Sequence, residues 1–201
     1  MNRTSTRAKV PKTARGRQTR DKLLQAAEVE FGEKGFHEAS VSGITYQAGV
    51  ALGTFYTYFE SKEEIYKALV GYMSGRVRSW IGERVRGAPD RLTAERRGLQ
   101  AYLEFVREHP GLYRIISEAE FIANDEFMAH YSGFAEAYRN NLAAATQRDE
   151  IREGDLEVWS WAFMGMMVFL GMRFAEWDHE TDPVKVAKAA GDLIADGISR
   201  K

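Results

Sequence analysis

The sequence predicts an all-α fold, and three observations carry that prediction. Apolar residues recur at three- and four-residue spacings in segment after segment from about Thr19 onward. Helix-starting Ser and helix-ending Gly residues punctuate those segments, as Ser40, Ser61, Gly35 and Gly49 do. No segment alternates apolar and polar residues like a half-buried strand, and no hairpin turn separates two such runs.

The elements follow in order. Residues 1–16 are polar and basic, contain Pro11 and Gly16 and lack periodicity, so a disordered arm is expected there. The first helix is expected from about Thr19, capped by Gln18 or Thr19. It turns Leu23, Leu24, Ala26, Ala27 and Phe31 inward and stops at Gly35. A short second helix follows Ser40, a good N-cap, and carries Val41, Ile44 and Ala48 on its apolar face. Gly49 ends it where a left-handed residue is wanted. A third helix spans about Leu52 to Tyr58. Ser61 then caps a long helix with Glu63 and Glu64 in its first turn, where the helix dipole favours acids. Gly87, Pro89 and Asp90 break the chain. Helices are expected beyond them over 91–108, 111–122, 125–148, 155–177 and 184–199. The domain reading is an arm (1–16), a three-helix domain (17–62) and a larger helical domain (63–201).

Composition narrows the function. Apolar residues make up 44% of the 201, enough for a substantial core. No run of about 18 uncharged apolar residues is present, so no membrane association is expected. The basic start has no apolar core of a secretory signal. The absence of cysteine excludes disulfides, thiolate metal sites and a Cys nucleophile, and fits a cytoplasmic location. The net charge of −1 is unevenly spread: residues 1–86 hold 15 Lys and Arg against 9 Asp and Glu. The first 22 residues alone carry eight basic side chains against Asp21. A basic arm on a basic N-terminal unit points to a polyanionic partner.

Two short helices joined through "AGV" at 48–50 fit a helix-turn-helix, whose second helix enters the major groove of DNA. The aromatics behind it then gain a use. Phe55 and Phe59 read as core, while Tyr56 and Tyr58 can donate hydroxyls to phosphates.

The chain over residues 19–70 resembles the N-terminal domain of the TetR family of bacterial transcriptional regulators. The resemblance rests on Ala26-Ala27, Phe31, Gly35-Phe36, Ile44, Ala48-Gly49-Val50, Gly53-Thr54, Tyr56, Phe59, Lys62 and Glu63 in that order. It implies a DNA-binding domain followed by a ligand-binding and dimerisation domain. Carried over by position, Ser42 would reach a base or phosphate, and Leu52 and Gly53 would face bases. Thr54, Tyr56, Tyr58 and Lys62 would face phosphates, Tyr58 also touching a base, and Thr19, before the first helix, would meet another phosphate. Three departures stand out. Ala51 gives the recognition helix no side-chain cap, a loss of about 1 kcal/mol in ordinary helices. Leu52 offers only apolar contact, as to a thymine methyl. Gly43 cannot complete a capping box with Ser40.

The helix over 156–177 is apolar almost all round and must be covered on both sides. The resemblance assigns one side of it and of the last helix to a four-helix bundle with a second subunit. Interface candidates are Trp161, Phe169 and Met172, with Leu193, Ile194 and Ile198. Leu193 and Ile194 point to opposite sides, so one of them is expected at the interface. For a ligand pocket the candidates are Phe105, Tyr113, Ile116, Phe121, Tyr131, Phe134 and Tyr138, with Trp159, Phe163, Met166 and Phe174. Aromatics with Met suit an adaptable apolar pocket, although most such residues in a helical domain are ordinary core. The stretches "HPGLYRIISEAEFI" and "YSGFAEAYRNNL" are similar to regulatory domains that sense acyl-CoA thioesters, with Arg114, Arg139 and Arg173 as anion candidates. The resemblance thus implies a homodimeric repressor that leaves a palindromic operator on binding a small apolar effector, acyl-CoA being one such class.

Enzyme signatures are lacking. The Glu-x-x-His at 176–179 has no second copy, as a di-iron bundle would need. His37, His109, His130 and His179 are scattered, and no nucleophile elbow, P-loop or dinucleotide fingerprint occurs. No metal or cofactor is expected. Two other classes remain as alternatives. One is an all-helical protein-interaction module whose basic arm meets an acidic partner, separable by salt-dependent binding to a palindromic duplex. The other is a helical-bundle metalloenzyme, separable by metal analysis.

Overall fold

The computed structural model describes residues 11–198, and every regular element among them is helical. Contacts divide the chain into two compact units: one up to Met73 together with Gly111–Met128, the other Ser74–Pro110 together with the chain from Ala129 onward. This partition differs from a cut at residue 62.

The first unit holds α1 (Ala14–Glu38), α2 (Val41–Ala48), α3 (Leu52–Tyr58), the first half of α4 (Lys62–Val85) and α6 (Leu112–Ile122). α1 starts five residues earlier than Thr19. Thr13 is its N-cap and accepts the Gly16 N–H at 3.0 Å, so residues 14–16 of the expected arm are helical. The remainder of that arm, up to residue 10, lies outside the described residues. Gly35, expected to stop the helix, breaks it: its φ of 76° and ψ of 171° are non-helical, and one further helical turn, to Glu38, follows the kink. The core is Leu23, Leu24, Ala27 and Phe31 of α1 with Ile44, Phe55, Phe59, Ile65 and Leu69.

α6 belongs here because its backbone meets that of α1. A Cβ on Gly111 would stand 2.5 Å from the Cα of Gly32, so the approach requires bare backbone on both sides. Arg114 donates to the Glu33 carbonyl at 2.6 Å, and the Glu118 carboxylate accepts the Phe36 N–H at 2.7 Å, just past the bend. Fully buried Tyr66 of α4 donates to the Ile115 carbonyl at 2.6 Å, with Phe31 and Phe36 edge-on to its ring.

The second unit holds the rest of α4, α5 (Arg91–Glu108), most of α7 (Asn124–Gln147), α8 (Leu156–Gly171) and α9 (Pro183–Ile198). Asp90 caps α5 and Asp155 caps α8. The helix expected to run to 177 widens into a π-helical turn over Met172–Glu176. Arg107 donates to the carbonyls of Phe174 and Thr181 at 2.9 and 2.6 Å, satisfying acceptors at that helix end. Leu142, Ala145, Ile151, Phe163, Ile194 and Ile198 form one buried cluster. The stretch Leu156–Glu176 is long and apolar enough to cross a membrane by length and hydropathy. Here its Phe163, Met164, Met167 and Ala175 are buried in protein.

Candidate nucleic-acid interface and regulatory cavity

α2 and α3 are set by local signals. Ser40 Oγ accepts the Gly43 N–H at 3.0 Å. Gly49, at φ 65° and ψ 36°, closes α2, and the Val50 N–H returns to the Thr45 carbonyl at 3.1 Å. Ala51 supplies no side-chain cap to α3, which starts on the Thr54 N–H to Ala51 carbonyl bond at 2.8 Å. Phe55 and Phe59 bury one side of α3, their ring centroids 5.7 Å apart, and the Arg20 guanidinium lies 5.4 Å from the Phe59 ring. The other side is left out: Leu52 is 51% exposed, Tyr56 54% exposed, and Gly53 has open space around it. Ser42 is exposed on α2, its hydroxyl paired with that of Ser40 at 3.1 Å.

One exposed residue was missed by sequence reasoning. Tyr46, one turn after Ser42 on α2, is 88% exposed. An apolar-looking "ITY" hides it, because Ile44 and Thr45 are buried and only their neighbour points out. An exposed tyrosine beside Ser42 adds a ring and a hydroxyl to the same face.

The missing capping box is supplied from α1. Glu30, fully buried, accepts the Ser40 N–H at 3.1 Å, the bond a residue at 43 would have made. It also accepts Lys34 Nζ at 2.9 Å and Gln47 Nε2 at 3.0 Å. A Cβ at Gly43 would overlap that carboxylate, so the glycine is the space Glu30 needs.

Two residues expected at phosphates have partners within the chain. Lys62 Nζ donates to the carbonyls of Phe36, His37 and Ala39 at 2.7, 3.2 and 2.9 Å and lies 4.6 Å from the Phe36 ring. Its three protons are thereby used on backbone carbonyls of the turn that follows the break at Gly35. Thr19 sits inside α1 rather than before it, half-buried, its hydroxyl donating to the Arg15 carbonyl at 3.0 Å. Thr54 and Tyr58 are half-buried, and the Tyr58 hydroxyl stands within 3.7 Å of the Cβ position of Gly16, at the start of α1. Lys12, Arg15 and Arg17, around that start, are exposed cations.

The second unit contains a cavity of about 150 Å³ between α4, α5, α7 and α8. Ile81, Val85, Ala94, Phe134 and Met167 give it apolar walls. One pole is polar: Arg91 pairs with buried Glu95 at 2.6 Å, and the Tyr138 hydroxyl meets the same carboxylate. Burial pushes the Glu95 carboxyl up, against the pull of Arg91, and desolvation with the Glu95 charge raises Tyr138 well above the phenol range. Arg78 also lines the cavity, its guanidinium 5.5 Å from the Phe134 ring. Beside it Ser74 Oγ and His130 Nδ1 are 2.6 Å apart, and burial, helped by Arg78, lowers His130 to about 4.

Of the pocket candidates, Phe134 and Tyr138 line this cavity. Tyr113, Ile116 and Phe121 belong to the first unit, where Ile116 is core and Phe121 is 84% exposed. Phe105 is buried against Trp80 and His109, and Phe163 is in the apolar cluster. Tyr131 packs edge-on to His130, and Trp159 lies beneath Arg152. Met166 and Phe174 line a separate apolar groove with Leu193 along α8 and α9. The anion candidates are engaged: Arg114 on Glu33, Arg139 with Glu157, Arg173 with Asp178. Among interface candidates Trp161, Phe169 and Leu193 are exposed and Met172 is half-buried. Ile194 and Ile198, 8% and 5% exposed, face inward to Phe163 and Leu142, which corrects their assignment to a partner-facing side.

Residues 23–69 match the family model described as bacterial regulatory proteins, tetR family. Over 193 residues the chain is 29% identical to the uncharacterized HTH-type transcriptional regulator YdgC of Bacillus subtilis (strain 168), covering 94% of this chain and 96% of that one. It is similar in fold to the fatty acid degradation regulator FadR from Bacillus halodurans, with TM-score 0.76, 22% identity, and 95% and 98% of the two chains covered. It is similar also to FadR from Bacillus subtilis in complex with stearoyl-CoA, with TM-score 0.74, 20% identity, and 88% and 98% covered.

Proposed function

We propose that this chain, whose N-terminal domain belongs to the TetR family, is a homodimeric transcriptional repressor that leaves a palindromic operator when a small effector occupies its second unit. The observation that carries the reading is the face formed by Ser42, Tyr46, Leu52, Gly53 and Tyr56. These residues project from two short helices whose other sides are fixed by Phe55, Phe59 and the Glu30 network. Such a face can enter a major groove without rearrangement. Its small residue, Gly53, admits close backbone approach, and Leu52 reads a methyl group rather than a hydrogen-bonding edge. Tyr46, Tyr56 and the cations around the start of α1 serve phosphates in place of Lys62.

Trp161, Phe169 and Leu193 form the exposed apolar side of α8 and α9, and a second copy of the chain is proposed to cover it. A two-fold dimer matches a two-fold operator. The cavity among α4, α5, α7 and α8 is the effector site; the likeness to the stearoyl-CoA-bound regulator suggests an acyl-type effector, and about 150 Å³ admits only a small one. The reading requires no catalysis and places the protein in the cytoplasm with the chromosome.

Selection from random duplexes by the full-length protein tests this. Inverted repeats should be enriched, with affinity falling steeply as salt rises. Leu52→Ala should cost about 1–3 kcal/mol at one base pair per half-site while leaving random-DNA binding intact. Failure to enrich any symmetric sequence would remove the reading, and equal loss on all DNA would remove Leu52 from base contact.

A further inference from the structure

We infer that the cavity among α4, α5, α7 and α8 takes a single-ring aromatic carboxylate carrying a hydroxyl group, an inference resting on the reading of that cavity as the effector site.

Size is the first argument. A cavity of about 150 Å³ matches the volume known to hold benzene in a protein interior. A long acyl chain is several times larger. The walls are of the right kind for a ring: Phe134 offers an aromatic neighbour, and Met167 a polarizable thioether.

Charge is the second. Three charged groups line the cavity, Arg78, Arg91 and Glu95. Arg91 and Glu95 neutralise one another at 2.6 Å. Arg78 forms no ion pair among the described residues and is exposed, resting over the Phe134 ring. His130, lowered to about 4, adds no charge at neutral pH. The site therefore carries one uncompensated guanidinium beside an apolar chamber, which is the complement of an aromatic acid: ring inside, carboxylate on the fork of Arg78.

The polar pole is the third. Glu95 is 4% exposed, and Tyr138 and Arg91 converge on its carboxylate in the cavity wall. A purely hydrocarbon ligand would leave that cluster facing apolar matter, an unfavourable contact. A ligand hydroxyl can donate to the Glu95 carboxylate or to the oxygen of Tyr138, whose own proton is held by Glu95. The two polar ends of the ligand thus meet two separate polar features.

Calorimetric titration of the full-length protein tests the assignment with 4-hydroxybenzoate, benzoate, phenol, 4-hydroxybenzoyl-CoA and stearoyl-CoA. The expected order places 4-hydroxybenzoate at least about tenfold tighter than benzoate and than phenol. Arg78→Gln, a change at an exposed position, should bring 4-hydroxybenzoate down to the affinity of phenol and leave phenol unaffected. Tyr138→Phe should erase the advantage of 4-hydroxybenzoate over benzoate, with circular dichroism confirming that the variant is folded. Absence of binding by every single-ring acid at millimolar concentration would overturn the inference. So would an unchanged affinity in Arg78→Gln, binding of the thioester alone, or binding of stearoyl-CoA that 4-hydroxybenzoate does not compete away. Operator binding measured on the same preparation reads the broader proposal separately: a protein that binds the acid but no operator would overturn the repressor reading and leave the cavity assignment standing.

Discussion

Glu30 and Gly43 share one volume: the carboxylate of Glu30 on α1 fills the space a Cβ on Gly43 of α2 would take, and it accepts the Ser40 N–H that position 43 would otherwise cap. The reading face of the helix-turn-helix is therefore aimed by an anion on another helix. Glu30→Ala should lower stability by about 2–3 kcal/mol, since it strips acceptors from Ser40 and Gln47. Gly43→Glu should be damaging in the native background, where it collides with Glu30, and restorative in the Glu30→Ala background, where it rebuilds a local capping box. Urea unfolding of the four proteins in the cycle measures this. Equal effects of Gly43→Glu in both backgrounds would show that the residues do not share the space.

Lys62 distinguishes structural from electrostatic roles. Lys62→Met should lower the unfolding free energy by about 1–3 kcal/mol, because three carbonyls at the end of α1 lose their donor. The salt slope of DNA binding should not change. A slope reduced by about one unit, with stability intact, would return Lys62 to the phosphate backbone.

The two neighbours on α9 should part company. Leu193→Arg, at a position 66% exposed, should give folded monomers in sedimentation velocity and weakened operator binding. Ile194→Arg, 8% exposed within the apolar cluster, should destabilise the fold by about 3 kcal/mol or more rather than split a dimer. A dimeric Leu193→Arg protein would place the subunit contact elsewhere.

Acid stability should report on His130. Its ionisation lies near 4 in the folded chain against 6.5 for an ordinary histidine, so between those values the unfolded chain holds the extra proton. Stability should fall as pH drops through that window, by on the order of 3 kcal/mol at its acid end. His130→Asn keeps an acceptor for the Ser74 hydroxyl and removes the titration. The difference between the two proteins in chemical denaturation from neutral pH to about 4.5 should shrink steadily. Parallel curves would mean that His130 is not the group responsible.

What could be read from the chain alone was what depends on near neighbours. Ser40, Gly49 and uncapped Ala51 fix the ends of α2 and α3 within a few residues, so those helices lie where the sequence puts them. Phe55 and Phe59 are core for the same reason, four residues apart on one side of a short helix. Distant partners were not legible. Lys62 looks like a free cation until α1 bends at Gly35 and presents its carbonyls. Glu95 looks like one half of a surface pair with Arg91 until α7 brings Tyr138 over it. Thr13 gives no sign of being a cap in the sequence, because the first turns of α1 are polar all round and offer no period to follow. On α9, apolar residues on both sides left Leu193 and Ile194 equivalent, and only the Phe163 cluster decides between them.

The first unit is assembled from two separate lengths of chain, up to Met73 and again over Gly111–Met128. A DNA-reading head built this way cannot be exchanged between regulators as one contiguous cassette. A single crossover within α4 would transplant α1 to α3 and leave behind Gly111, whose bare backbone fits Gly32, and Glu118, which takes the Phe36 N–H beyond the bend. The grafted helices would arrive without the strut against which α1 is shaped. A working chimaera needs either a second crossover that carries α6 or a recipient whose α6 already offers a glycine and a carboxylate at those places. For this chain, recombination with another regulator is thereby restricted to partners that match it at a helix far downstream of α3.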